Sequence, residues 1–242
     1  MRQKTMLLTG ASRGIGHATV RRFDAEGWRV ITCSRNPLPD GCPWSSGNDN
    51  HVQLDLGDPA DTINAVGLIQ EMVGGKLDAL VNNAGVSPKG PDGERLNTLE
   101  TDLMTWGQVF HVNFFASVVL ARGLKDELAA AKGAVVNVTS IAGSRVHPFA
   151  GAAYATSKAA LAALTREMAH DFGPLGVRVN AIAPGEVETA ILSPGTDKIV
   201  EKLPLQRLGQ PEEVAAAIYF LCSEGSSYIS GAEIEVNGAQ HV

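Results

Sequence analysis

The chain has 242 residues, 44% hydrophobic and 5% aromatic, with a formal net charge of −6. That length suits one sizeable core, and the apolar content is that of a globular domain. The acidic balance, with no basic run longer than two residues, argues against nucleic acid as a partner, and no uninterrupted apolar run approaches a membrane span.

Three cysteines, Cys33, Cys42 and Cys222, give an odd count without a Cys-x-x-Cys pair and read as thiols of a reducing compartment. No secretory pattern opens the chain, so a cytoplasmic location is expected. Six scattered histidines lack metal-ligand spacing, and no catalytic metal is expected.

Strands are predicted at 4–9, 28–33, 51–54, 77–81, 133–139, 177–182 and 232–236. Most are nearly continuous apolar runs, as parallel strands covered on both faces must be. Helix-compatible segments alternate with them. The pattern predicts a single α/β domain over 1–242: a Rossmann-like, doubly wound parallel sheet of about seven strands, with helices on both faces.

The first strand runs into Gly10-Ala11-Ser12-Arg13-Gly14-Ile15-Gly16, followed by a helix-compatible stretch to about Gly27. Such a turn offers backbone N–H groups and a helix N-terminus to phosphate. Its Gly-x3-Gly-x-Gly spacing differs from Gly-x-Gly-x-x-Gly, and by itself it also reads as a connector. Ser34-Arg35-Asn36 stands about 20 residues on, where dinucleotide folds place an acid against the ribose 2′-hydroxyl. A guanidinium there forks onto a 2′-phosphate that a carboxylate would repel, and Arg13 adds a second cation. Next comes the stretch Asn36 to Gly47, with Pro37, Pro39 and Pro43, which cannot sustain a helix and reads as a loop. Its Trp44 reads either as an adenine contact or as a partly buried loop residue.

Trp106, Val109, Phe110 and Asn113 share a helical stripe, so an amide interrupts an apolar face. Buried there, it must find partners or cost roughly 1–3 kcal/mol. Tyr154 and Lys158, four residues apart, project from one helix face, with Ser140 fourteen residues before the tyrosine. A phenol ionises near pH 10, and moving it ~3 units down takes ~4 kcal/mol of differential interaction, more than one positive charge supplies. Taken alone, the pair also reads as a half-buried tyrosine beside a snorkelling lysine. The clearest helix is 211–221: Pro211 opens it, Glu212 and Glu213 follow, and Val214, Ala217, Ile218 and Leu221 form its stripe.

Thr9-Gly10-(x3)-Gly14-Ile15-Gly16, Asn82-Asn83-Ala84-Gly85, Asn113, Ser140, Tyr154-(x3)-Lys158 and Pro184-Gly185 occur in one order. Together they resemble the classical short-chain dehydrogenase/reductase family, which includes 3-oxoacyl-carrier-protein reductases. The likeness continues through Leu203-Pro204-Leu205 and Arg207 to Ala215, and so spans essentially the whole chain. It implies interconversion of a carbonyl and a secondary alcohol with a nicotinamide dinucleotide, the protein managing the proton. By the same resemblance Tyr154 is the general acid, Ser140 a second donor to the carbonyl oxygen, and Lys158 a cation that lowers the phenol pKa and holds the nicotinamide ribose. Asn113 is implied to distort its helix and to link Lys158 to solvent through a water.

For the cofactor, the resemblance implies Gly10, Ser12, Arg13, Gly14, Ile15 and Gly16 at the phosphates, and Ser34 with Arg35 at the adenosine ribose. Arg13 and Arg35 together imply NADP(H). Asp55 and Leu56 are implied at the adenine, Asn83, Ala84 and Gly85 at the nicotinamide ribose, and Pro184, Gly185, Val187 and Thr189 beside the carboxamide; Asn82 reads as structural. Residues 186–203 resemble a mobile substrate-covering segment.

The sequence departs from the family in the 36–47 loop, where members carry a helix, and in Ala239, where a second glycine is usual. The resemblance also implies a homo-oligomer, dimer or tetramer, through the 231–238 edge and two long helices. The substrate class stays open between a small free carbonyl, a 3-oxoacyl thioester and a sugar or polyol. Arg122, Lys125, Lys132 and Arg166 are interspersed with Asp126, Glu127, Glu167 and Asp171, a poor match for an acidic carrier protein. A catalytically silent dinucleotide sensor is the reading from another class; retention of all four proton-handling residues argues against it.

Overall fold

Seven short strands meet in one sheet of order β3-β2-β1-β4-β5-β6-β7, all neighbours parallel. They are β1 (Thr5–Thr9), β2 (Arg29–Ser34), β3 (His51–Gln53), β4 (Ala79–Asn82), β5 (Ala134–Val138), β6 (Arg178–Pro184) and β7 (Glu233–Val236). The computed structural model describes residues 2–36, 50–189 and 200–240. Most of the 36–47 stretch with Trp44, and Pro194-Gly195 of the substrate-covering segment, lie outside the described residues.

Successive strand residues point to opposite faces, and β1 shows why it reads as unbroken apolar sequence. Met6 and Leu8 pack on one side with Phe23 of α1 (Gly14–Ala25) and with Val214, Ile218 and Leu221 of α7 (Pro211–Cys222). Leu7 packs on the other with Ile69 of α2 (Pro59–Val73), Leu120 of α4 (Ala116–Gly123), Leu128 of α5 (Lys125–Ala131) and Met168 of α6 (Ala152–Phe172). Both faces are covered, so no strand position of β1 is polar-out.

The helices begin where their side chains satisfy N-terminal amides. Asp58 accepts from Ala60 and Asp61 N–H with Pro59 in the first turn, and Gln210 and Glu213 form a capping box at α7. Arg207 grips Glu213 at 2.7 Å and, with the Gln210 N–H, holds its carboxyl down at about 2.

α3 (Leu103–Phe110), a π turn (His111–Phe115) and α4 form one rod. Among the described residues it is the helical run long and apolar enough to match a membrane span, with mean hydropathy 1.3. It packs on α2 and α6 within the fold, while Leu103, Met104 and Phe115 stay exposed. Cys33 and Cys222 are buried free thiols, pushed up to about 12 by burial. Ala239 sits at φ +64°, the left-handed region that glycine adopts without penalty.

Candidate active site

The strand order reverses direction about β1 and β4, which opens a crevice at the carboxyl ends of the strands. A cleft of about 450 Å³ lies there, and every predicted site residue except Asn113 lines it.

The glycine turn forms the cleft floor after β1. A Cβ on Gly16 would lie 2.0 Å from Gly10 O, so only glycine lets α1 start this close to the strand. No side chain caps the first N–H groups of α1, and Ser12 and Arg13 are exposed beside them. Asn83 ties β4 to β1: its Nδ2 donates to Thr9 O and Gly10 O, both at 3.0 Å, and its N–H to Thr9 Oγ1. Asn82 is structural as expected, donating at 2.8 Å to Asn137, which in turn donates to Thr165.

At the far end of the cleft, Ser34 Oγ donates to Asn36 O at 2.7 Å and exposed Arg35 follows it. His51, which the sequence reading passed over, stands beside this corner, its ring nitrogens 2.8 Å from Thr32 Oγ1 and 3.0 Å from Asn36 O. Asp55 accepts from Gly57 N–H, and Leu56 is buried.

The proton-handling residues converge at the other end. Ser140 caps a short turn, Ile141–Gly143, and its Oγ accepts from Ala142 N–H. A Cβ on Gly143 would meet Ala159 N at 2.8 Å and Lys158 C at 3.0 Å, so the turn presses directly on the α6 backbone. Tyr154, in the first turn of α6, lines the same cleft wall as Ser140. Lys158 follows one turn on, 3% exposed, and its Nζ donates to Val138 O at 2.6 Å. That ammonium is 5.8 Å from the Tyr154 ring centre.

The electrostatics correct one expectation. Burial pushes the Tyr154 phenol up, the Ser140 side chain opposes it, and the charge of Glu186 raises it further. Lys158 does not offset this. Burial brings its own pKa down to about 8, and its ammonium is held by the Val138 carbonyl.

Asn113 behaves as the sequence implied in one respect: the helix is distorted into a π turn around it. The amide is 1% exposed and fully engaged. Oδ1 accepts from Val86 N–H at 2.8 Å; Nδ2 donates to Val86 O at 3.1 Å and to Ser157 Oγ at 3.0 Å. A Cβ on Gly85 would lie 3.4 Å from Lys158 Nζ and 3.6 Å from Asn113 Oδ1, so these two groups bracket that glycine. Gly185 N–H donates to Val236 O, Val187 is buried, and Thr189 lies against Gly14.

Residues 10–241 match the family model described as Enoyl-(Acyl carrier protein) reductase. Protein FixR of Bradyrhizobium diazoefficiens is 59% identical over 243 residues, 99% of this chain and 87% of that protein. Meso-2,3-butanediol dehydrogenase of Serratia marcescens is 33% identical over 244 residues, 97% of this chain and 93% of that one. The crystal structure of an oxidoreductase of the short-chain dehydrogenase/reductase family from Brucella ovis, in complex with a partially ordered NAD, shares 59% identity. It covers 98% of this chain and 100% of its own, with a TM-score of 0.84. The chain belongs to the short-chain dehydrogenase/reductase family.

In this short-chain dehydrogenase/reductase the sequence reading gave no role to Lys89 or His147 of the cleft, and took Glu186 only as the start of the 186–203 segment. His147 Nε2 is 2.9 Å from Glu186 Oε1, both side chains nearly buried, and Lys89 Nζ donates to Phe149 O. One signal was available: Glu186 directly follows the Pro184-Gly185 motif, a charge in an apolar stretch.

Proposed function

We propose that this protein is an NADP(H)-dependent oxidoreductase that interconverts a small carbonyl compound and its secondary alcohol. The observation that carries this reading is the meeting of Ser140, Tyr154 and Lys158 in one cleft, Tyr154 and Lys158 one helical turn apart, beside an uncapped helix N-terminus behind a crowded glycine turn.

The residues present fit a dinucleotide. The Gly10–Gly16 turn and the first α1 amides suit its phosphates, and Asn83, Ala84, Gly85 and Lys158 line the cleft toward the nicotinamide end. The Brucella ovis relative holds NAD. Preference for the 2′-phosphorylated form here rests on Ser34, Arg35 and Arg13, none of them a carboxylate, at the corner where a 2′-substituent would lie. When bound, the nicotinamide supplies or accepts the hydride. The chain's own residues handle the proton: Tyr154 donates it to the carbonyl oxygen, and Ser140 donates a second hydrogen bond to the same oxygen. The elevated phenol pKa suits the protonated, donating form. Lys158 positions the ribose and balances negative charge as the phenol gives up its proton. Self-association belongs to the same reading, with exposed Leu103, Met104 and Phe115 on the α3–α4 rod as the apolar surface.

The test is titration of the protein with NADPH and NADH, then a carbonyl panel, on wild type and Tyr154→Phe. The expected result is tighter NADPH binding by both proteins, with turnover only by wild type. Tighter NADH binding removes the phosphate-site argument, and a fully active Phe variant removes Tyr154 from the chemistry.

A further inference from the structure

Three segments far apart in sequence bring polar side chains to one end of the cleft. Lys89 comes from the stretch after β4, His147 and Phe149 from the approach to α6, and Glu186 from the turn after β6. A wall serving an acyl chain would be apolar here. Instead the groups are held in fixed orientations. Phe149 N–H donates to His147 Nδ1 at 3.3 Å, which leaves Nε2 to carry the proton and donate to Glu186 Oε1 at 2.9 Å. The main chain of Glu186 is fixed too: its N–H donates to Gln240 Oε1 at 3.1 Å, and its carbonyl accepts from Gly209 N–H at 2.9 Å. The imidazole takes up one acceptor position on Oε1, and Glu186 lines the cleft with the rest of its carboxylate's acceptor capacity left for a ligand. Lys89 uses one N–H on Phe149 O and is close enough to Glu186 to feel its charge. Tyr154 feels the same carboxylate, so the cluster borders the reacting group.

We infer that Lys89, His147 and Glu186 are specificity-determining residues that select a neutral carbonyl compound bearing a hydroxyl beside the reacting carbon, rather than a plain ketone or an acyl chain. The inference deepens the proposed oxidoreductase function and rests on it. One acceptor and one donor side by side are the complement of a hydroxyl group. The Lys89 and Glu186 charges offset one another, so the wall favours neither an anionic nor a cationic substrate. A substrate without the hydroxyl leaves the remaining acceptor capacity of Glu186 and donor capacity of Lys89 desolvated and unused, and sites of this kind reject such analogues by orders of magnitude.

The matched probes are 3-hydroxybutan-2-one and butan-2-one, assayed with the preferred nicotinamide on the full chain. The expected kcat/KM ratio favours the hydroxyketone by about 100-fold or more. Glu186→Gln and Lys89→Met each cut that ratio at least tenfold, chiefly through KM, while nicotinamide Kd and Tm stay near wild type. Lys89 is partly exposed, so its variant reports even if Glu186→Gln disturbs the turn. Equal kcat/KM for the two ketones, or a ratio unchanged in both variants, overturns the inference and leaves the oxidoreductase reading standing. Absence of turnover on any carbonyl or alcohol overturns both.

Discussion

Replacing Asn113 with alanine removes three hydrogen bonds in one step, because its amide serves Val86 N–H, Val86 O and Ser157 Oγ. The site is 1% exposed, so water cannot take over those partners. Each net bond is worth about 1 kcal/mol, and an orphaned buried group adds to that; the total is about 3–4 kcal/mol. For a domain of this size each kcal/mol moves Tm by about 2–4 °C, so the expected fall is about 10 °C. Thermal unfolding followed by circular dichroism measures it. Asn113→Asp is expected to fare no better, since a carboxylate accepts from Val86 N–H but faces Val86 O without a proton. A double-mutant cycle with Ser157→Ala isolates one contact, with an expected coupling of about 1 kcal/mol. A Tm drop under about 3 °C, or strict additivity with Ser157→Ala, would refute the argument that Asn113 organises this corner.

The remaining expectations concern the backbone and the buried cation. Burial depresses Lys158 to about 8 from 10.5, so below pH 8 the folded state bears an ammonium it disfavours by about 3 kcal/mol. The unfolded chain binds more protons between pH 8 and 10.5, so this penalty fades as pH rises through that window. Lys158→Met should therefore be more stable than wild type at pH 7 by about 2 kcal/mol, once the loss of the bond to Val138 O is allowed for. The gap should shrink by pH 9.5 in urea titrations; an equal gap at both pH values would contradict the assignment. Ala239→Gly should relieve a left-handed backbone worth about 1–2 kcal/mol, offset by glycine's greater unfolded-state entropy. The net is a Tm rise of about 1–3 °C by calorimetry, and no rise would count against strain there. Gly16→Ala, with its Cβ 2.0 Å from Gly10 O, should abolish nucleotide binding in a fluorescence titration.

Where one element dictates its own environment, the sequence was sufficient. β1, β5 and β6 are covered on both faces, so their apolar runs mark their bounds to within two residues. α7 carries Pro211 and its acidic first turn, and begins where those residues predict. The proton-handling set was legible because Tyr154 and Lys158 share one helix face and Ser140 keeps its place in the order of motifs. The Lys89–His147–Glu186 cluster was not, because no spacing relates three residues that meet only when three strand-end segments fold together. The sign of the Tyr154 shift was also out of reach: it depends on how deeply the phenol is buried and on Lys158 being held by Val138 O, and neither is a property of spacing.

Backbone contact between the Ile141–Gly143 turn and α6 has a consequence for how this molecule can diversify. Ser140 and Tyr154 come from different elements, yet Gly143 rests on the main chain of Lys158 and Ala159, so their separation is set by peptide against peptide and not by side-chain rotamers. The walls that meet a substrate, by contrast, are side chains at strand ends. Those walls can be rewritten position by position, and the donor pair stays in tune throughout, because none of the atoms that set its spacing belongs to a residue that selects what enters.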